Sequence, residues 1–371
     1  MPNATVYFAT NRTPNDPANP TDFSPPGQPV AGSKVWFGRA DFNGDKLDFT
    51  PELSDSNYVL SMLGANANIT ATASIDALAN ARAAPLTNAG LFGDLPDPAP
   101  GPINALFFVH GYNFTFRQSV ARAAQLQQWY GKGPDGIPLL IFLFAWPSVG
   151  GEMSSQSYLT DRHGARLAGS ALGPAFELAA QYVNVIAMRN GQLPRLHLMA
   201  HSMGNWALRW MVQSMPSLKG GTPPAIDEML LMAADEDTDT LSTNDDIMPF
   251  AQQACKRVSV YWNQGDKALD VSKWIEGNPE RLGREGPDLV DGKYPATVTP
   301  INVDTPVGLG NEVTGHQYYR LQPDVRRDVL QVLAGKADAI IDGRTHPENG
   351  AYTLIYRYPP APAGPANMGG N

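Results

Sequence analysis

Between Arg195 and Met215 the chain reads RLHLMAHSMGNWALRWMVQSM, and its hydrophobic period changes partway along. Leu196, Leu198 and Ala200 alternate with His197 and Met199 in a mostly apolar run, the pattern of a strand buried inside a parallel sheet. From Gly204 onward Trp206, Ala207, Trp210, Met211 and Met215 recur at helical spacing. Ser202 sits at the joint, with the small residues Ala200 and Gly204 two places to either side. A strand that turns sharply into a helix lifts the turn side chain above the sheet edge and aims the next backbone N–H groups the same way. A serine there is placed as a nucleophile, yet five residues of this kind equally describe a serine capping the helix that follows. The other parts of a reaction centre must therefore be sought along the chain.

Strand and helix patterns alternate on both sides of this joint. Short strands are expected at Val6–Ala9 and Val35–Ala40, paired with each other, and a helix at Ser74–Arg82 in an otherwise poorly patterned region. Ala105–His110 reads as a buried strand, Phe116–Tyr130 as a helix, and Leu139–Trp146 as a second all-apolar strand. A long helical segment over Tyr158–Met188 is expected to break at its glycines and at Gly173-Pro174. Further strands are expected at Glu228–Asp235, from Arg257 to Asp266 and near Thr297–Val303. Helices are expected at Met248–Cys255, from Lys267 to Trp274 and at Pro323–Leu333, the last with its proline in the first turn. Alternation of this kind implies right-handed crossovers and an α/β fold, a mostly parallel sheet with helices on both faces. Residues 1–358 are expected to form one domain with an N-terminal extension over about 10–100 and a cover segment over about 277–295, and 359–371 a disordered Pro/Gly tail.

Composition narrows the partners. The chain has 371 residues, 43% of them hydrophobic, and a net charge of −9, which disfavours nucleic acid and anionic membranes as partners. A single cysteine rules out an internal disulfide framework. The N-terminus lacks the basic and apolar regions of a signal peptide, and no window has the length of a membrane span. The expectation is a soluble, cytoplasmic protein, its oligomeric state open. Asp235, Asp237 and Asp239 to Asp246 copy the spacing of a calcium loop, but Thr240 stands where that loop needs glycine and Asp246 where it needs glutamate. With no HExxH, paired CxxC or phosphate-cradling loop, no metal and no cofactor are expected.

Ligands of such sheets bind at the carboxyl ends of the strands, where Tyr112, Ser202, Asp266 and His316 are all expected to fall. A serine hydroxyl needs a base, and the base needs an anion that fixes its tautomer. Of six histidines, His316 follows the last core strand. By contrast, His197 lies within the serine's strand, His201 should point away from the serine, His163 sits in the long helical segment and His346 near the tail. The acid is Asp266, in the turn NQGD, with Asp235 or Asp237 as rivals. Backbone N–H groups of Tyr112 and Met203 would form the oxyanion hole, with His110 and Gly111 as turn-makers. Trp146 would line the substrate pocket or belong to the core.

VHGYN, FAWPS, LMAHSMGN, LMAADED, VYWNQGDKAL and GHQYY, in that order, resemble an uncharacterised α/β-hydrolase family, domain of unknown function 900. The resemblance spans roughly Val6 to Tyr319. It implies an α/β-hydrolase fold, in which an eight-stranded sheet is expected, and esterase or lipase-like activity. It assigns nucleophile, acid and base to Ser202, Asp266 and His316. The chain departs from the family at Ala234, where proline is usual, and in a long insertion between Asp266 and His316. The expected function is cleavage of a small carboxylic ester. An amide or thioester substrate, or an inactive binding or scaffold protein on the same fold, remains open.

Overall fold

The computed structural model describes residues 4–24, 34–42, 67–76, 104–133, 136, 139–151, 154–189, 191, 193–215, 226–242, 254–277, 279–304, 314–345, 347 and 350–357. In chain order the strands are β1 (Ala4–Thr10), β2 (Thr13–Pro14), β3 (Phe23–Ser24), β4 (Lys34–Phe42), β5 (Ala67–Asp76), β6 (Asn104–Val109), β7 (Leu139–Ala145), β8 (Arg195–His201), β9 (Ile226–Met232), β10 (Cys255–Trp262), β11 (Val298–Asn302) and β12 (Tyr352–Thr353). The helices are α1 (Phe116–Tyr130), α2 (Ser155–Arg189), α3 (Gly204–Ser214), α4 (Lys267–Ile275), α5 (Leu282–Glu285), α6 (Tyr318–Leu321) and α7 (Pro323–Leu333).

Among the described residues one sheet has ten strands in the order β12-β11-β10-β9-β8-β6-β7-β1-β4-β5, rather than the expected eight. The segments from β6 to β11 are parallel, because their apolar runs can face water on neither side and must be covered by helices on both. α2 and α3 cover one face, over Phe107, Phe142, Leu198 and Met229. α1 and α7 cover the other, over Leu106, Phe108, Leu143 and Met199. β1 joins β7 in parallel and carries β4 and then β5 antiparallel, so the expected pairing of the first two long strands is present.

Three expectations need correction. Ser74 to Asp76, the start of the expected helix, form the end of β5; the rest of that helix lies outside the described residues. α2 runs unbroken for 35 residues through Pro174. Its glycines do not end it; they let a neighbour close in, since a Cβ on Gly169 would lie 2.4 Å from the Cβ of Trp210 on α3. Cys255, the expected end of a helix, begins β10; residues 248–253 of that helix lie outside the described residues, as does the expected tail. No helix among the described residues is long and apolar enough to cross a membrane.

Strand register sets up the site. Val109 pairs with Ala200, His201 with Met232, and Tyr261 with Met232, so β6, β8, β9 and β10 end at one level. The chain leaves the sheet there at His110, Ser202, Ala233 and Asn263, which brings four loops to a common edge.

Candidate active site

The joint in the sequence is a sharp strand-to-helix turn. Ser202 has φ 55°, a left-handed conformation that a non-glycine residue keeps only when its surroundings hold it there. They do so by hydrogen bonds. Ser202 N donates to Met232 O at 3.0 Å, and Ser202 O accepts from Asn205 N at 3.0 Å and Asp235 N at 3.2 Å. The fully buried Asn205 side chain also donates to the carbonyls of Ser202 at 3.0 Å and Ala200 at 3.3 Å. Small residues are needed for clearance: a Cβ on Gly204 would lie 2.5 Å from the carbonyl oxygens of both Val109 and His110.

The turn after β6 lies directly against the serine, since a Cβ on Gly111 would sit 3.0 Å from Ser202 Cβ. His110 is a turn-maker with a structural ring. Its Nδ1 is 2.8 Å from Gly111 O, and it stacks on Trp146 with centroids 5.0 Å apart and planes 8° from parallel. Burial, reinforced by the charge of Arg12, lowers its pKa to about 3. Trp146 is fully buried and donates from Nε1 to His110 O at 2.6 Å. It packs beneath the turn and belongs to the buried core. The main-chain N–H groups of Tyr112 and Met203, the expected oxyanion donors, have no hydrogen-bond partner among the described residues.

Asp266 caps α4, its Oδ1 accepting from Ala268 N at 3.0 Å and Leu269 N at 3.1 Å. Its other oxygen, Oδ2, lies 2.6 Å from His316 Nδ1. Backbone contacts hold the histidine loop in place: Asn263 Nδ2 donates to Gly315 O at 2.8 Å, and Lys267 N to Thr314 O at 2.8 Å. His201 also takes part. Its ring nitrogen Nε2 is 3.1 Å from His316 O, and the two rings are 4.7 Å apart. Burial and the neighbouring His316 keep its pKa well below the ordinary histidine value. Ser202, His316 and Asp266 are all buried.

The rival acids are engaged elsewhere. Asp235 receives hydrogen bonds from Tyr158 at 2.7 Å, Arg281 Nε at 3.1 Å and Ser272, and Arg281 also binds Asp237. Arg281 lies in the expected cover segment, yet it is fully buried. Leu282 N and Gly283 N bond to Glu236 O at 2.7 Å and Ala234 O at 2.9 Å, fastening α5 to the loop after β9. Among the described residues no group of three or more His, Cys, Asp or Glu is placed to hold a metal.

Several residues of the site were not singled out from the sequence. Asn205 stands three places after the serine, a buried polar position whose type is itself the signal. Asp161, on α2, accepts from Asn113 N at 3.1 Å, Val149 N at 2.8 Å and Ser148 Oγ. Arg12, after β1, donates to Phe114 O at 2.8 Å. The last two act across long separations, and no local pattern marks them.

A family model described as an alpha/beta hydrolase of unknown function, DUF900, matches residues 103–334, more than half of the chain. Among solved structures, the product of gene lin2722 from Listeria innocua is similar at 12% identity and TM-score 0.33, covering 69% of this chain and all of its own. Phospholipase PlaB from Legionella pneumophila, in complex with thio-NAD, is similar at 15% identity and TM-score 0.23, over 54% of this chain and 38% of its own. No curated protein matches the chain.

Proposed function

The chain belongs to the DUF900 family of alpha/beta hydrolases, and from that premise we propose that it cleaves small carboxylic esters through an acyl-enzyme on Ser202. The observation that carries this reading is the 2.6 Å contact between Asp266 Oδ2 and His316 Nδ1 at the sheet edge where the strained Ser202 turn stands. A carboxylate on Nδ1 fixes the tautomer that leaves Nε2 as the base, and it stabilises the imidazolium formed on proton transfer.

Ser202 Oγ attacks the ester carbonyl carbon while His316 takes its proton. The oxyanion is held by the N–H groups of Tyr112 and Met203, which have no hydrogen-bond partner among the described residues and so suit the role. Collapse of the tetrahedral intermediate expels the alcohol, protonated by His316, and leaves Ser202 acylated. Water, deprotonated by the same histidine, then attacks the acyl carbon and regenerates the serine. Trp146 serves from below, by holding the turn that carries Tyr112.

Incubation with a fluorophosphonate probe is expected to label Ser202, located by peptide mapping. A series of p-nitrophenyl esters is expected to be hydrolysed by the wild type and not by Ser202→Ala. Turnover surviving in the alanine variant, or a folded wild type that neither labels nor turns over, would refute the reading. Amide and thioester substrates in the same assay distinguish the leaving group.

A further inference from the structure

Asp161 lies on the second turn of α2, far in sequence from both the serine and the turn after β6, and it is 1% exposed. Burying a carboxylate is costly unless its oxygens are hydrogen-bonded, and here every donor comes from two loops. Oδ2 accepts from Asn113 N at 3.1 Å and from Ser148 Oγ, and Oδ1 accepts from Val149 N at 2.8 Å. Ser148 Oγ in turn accepts from Phe114 N at 3.0 Å. The carboxylate thus holds Asn113 directly and Phe114 through one hydroxyl, while Arg12 fixes Phe114 O from the other side at 2.8 Å. Asn113 has φ 63°, a left-handed conformation in which the asparagine side chain bonds Gly151 O at 3.1 Å. The residue immediately before this clamped pair is Tyr112.

We propose that Asp161 is a positioning residue for ester cleavage: through Asn113 and Ser148 it sets the direction in which the Tyr112 N–H faces the carbonyl attacked by Ser202. The proposal rests on the oxyanion role given to Tyr112 above. An asparagine at position 161 cannot reproduce the arrangement. One end of its side chain is a donor, so either Val149 N or the Asn113 and Ser148 pair loses its acceptor. A displaced oxyanion donor weakens the transition state more than the bound ester, so the loss should fall on kcat.

The test compares wild type, Asp161→Asn and Ser148→Ala, with thermal melts to establish that each is folded. Asp161→Asn is expected to lose about 100-fold in kcat with KM changed by less than about threefold, and Ser148→Ala about 10-fold. An alkyl boronic acid, which adds to Ser202 as a tetrahedral adduct, should bind each variant more weakly by a factor that tracks the fall in kcat. A strut that only stabilises the fold would lower the melting temperature without moving boronate affinity and kcat together. If Asp161→Asn does not fold, Ser148→Ala decides. A wild type that labels at Ser202, beside folded variants with unchanged kcat and boronate affinity, overturns the positioning role and leaves the hydrolase reading standing. A wild type that neither labels nor turns over removes both.

Discussion

Two carboxylates, Asp235 after β9 and Asp266 after β10, leave neighbouring strands at the same level and are both almost wholly buried, yet their surroundings differ in one respect. Asp235 is matched by permanent cations. Burial pushes its carboxyl up, but Arg281 and Arg162, with Ser272 and Tyr158, bring its pKa below the ordinary range. Asp266 is held by neutral donors, the backbone N–H groups of Ala268 and Leu269, and by an imidazole 2.6 Å away. A carboxylate already neutralised by guanidinium gains little from a second positive charge, whereas one balanced only by dipoles can stabilise an imidazolium as it forms. Asp235 is therefore a strut between the loop after β9, α2 and the segment carrying Arg281, whereas the surroundings of Asp266 suit the role proposed for it, partner to the base.

The largest effect that would break this contrast is in turnover. Asp266→Asn keeps an oxygen for the α4 cap and should fold, but kcat is expected to fall by roughly 10³ to 10⁴ because the histidine tautomer is no longer enforced. Asp235→Asn should keep kcat of the folded protein within about threefold. Exchange of these outcomes in ester assays would invert the assignment.

Next comes stability. Arg281→Met leaves the Asp235 carboxylate with only the more distant Arg162 and is expected to cost about 3 kcal/mol in chemical denaturation, with turnover of the folded fraction little changed. Adding Asp235→Leu to that variant should recover much of the loss, since the uncompensated charge then disappears. Tyr158→Phe removes one donor from the same carboxylate and is expected to cost about 1–3 kcal/mol by the same measurement.

The most gradual effect, about 1.4 kcal/mol for each pH unit, separates unfolding from titration of the site. His197 is fully buried, and burial lowers its pKa from 6.5 to about 4. The unfolded chain therefore takes up its proton first, so this contribution to stability is present above pH 6.5 and is lost as the pH falls towards 4. His197→Gln should flatten that acid limb by up to about 1.4 kcal/mol per pH unit, measured by denaturation at several pH values. A pH profile of kcat that shifted equally in this variant would show that acid inactivation is unfolding and not protonation of the base.

Much of this arrangement is legible in the sequence because it is local. The change of period at Ser202, the apolar runs of β6 to β10 and the capping turn before α4 each occupy a few consecutive residues. Asp266 and His316 follow from their order and from the rule that sites lie at strand ends. What escapes is set by distant partners. Gly169 and Pro174 look like breakers, but α2 continues because a long apolar face is buried on the sheet and α3 approaches at the glycine. Ser74 to Asp76 carry no strand signal of their own and are recruited by pairing with β4. Arg281 sits in a stretch whose glycines and charges suggest a solvated cover. Its burial depends on an aspartate 46 positions earlier, information that no window contains. Asp161 is hidden for the same reason, its partners lying in two loops that only folding brings together.

Asp266, and not Asp235, is proposed to carry the histidine that serves Ser202. Proton NMR of the 15N-histidine-labelled enzyme bearing a boronate adduct observes the Nδ1–H of His316 directly. A strongly deshielded, nitrogen-coupled resonance is expected that persists in Asp235→Asn and vanishes in Asp266→Asn. Its survival in folded Asp266→Asn, or its loss in folded Asp235→Asn, would contradict the account.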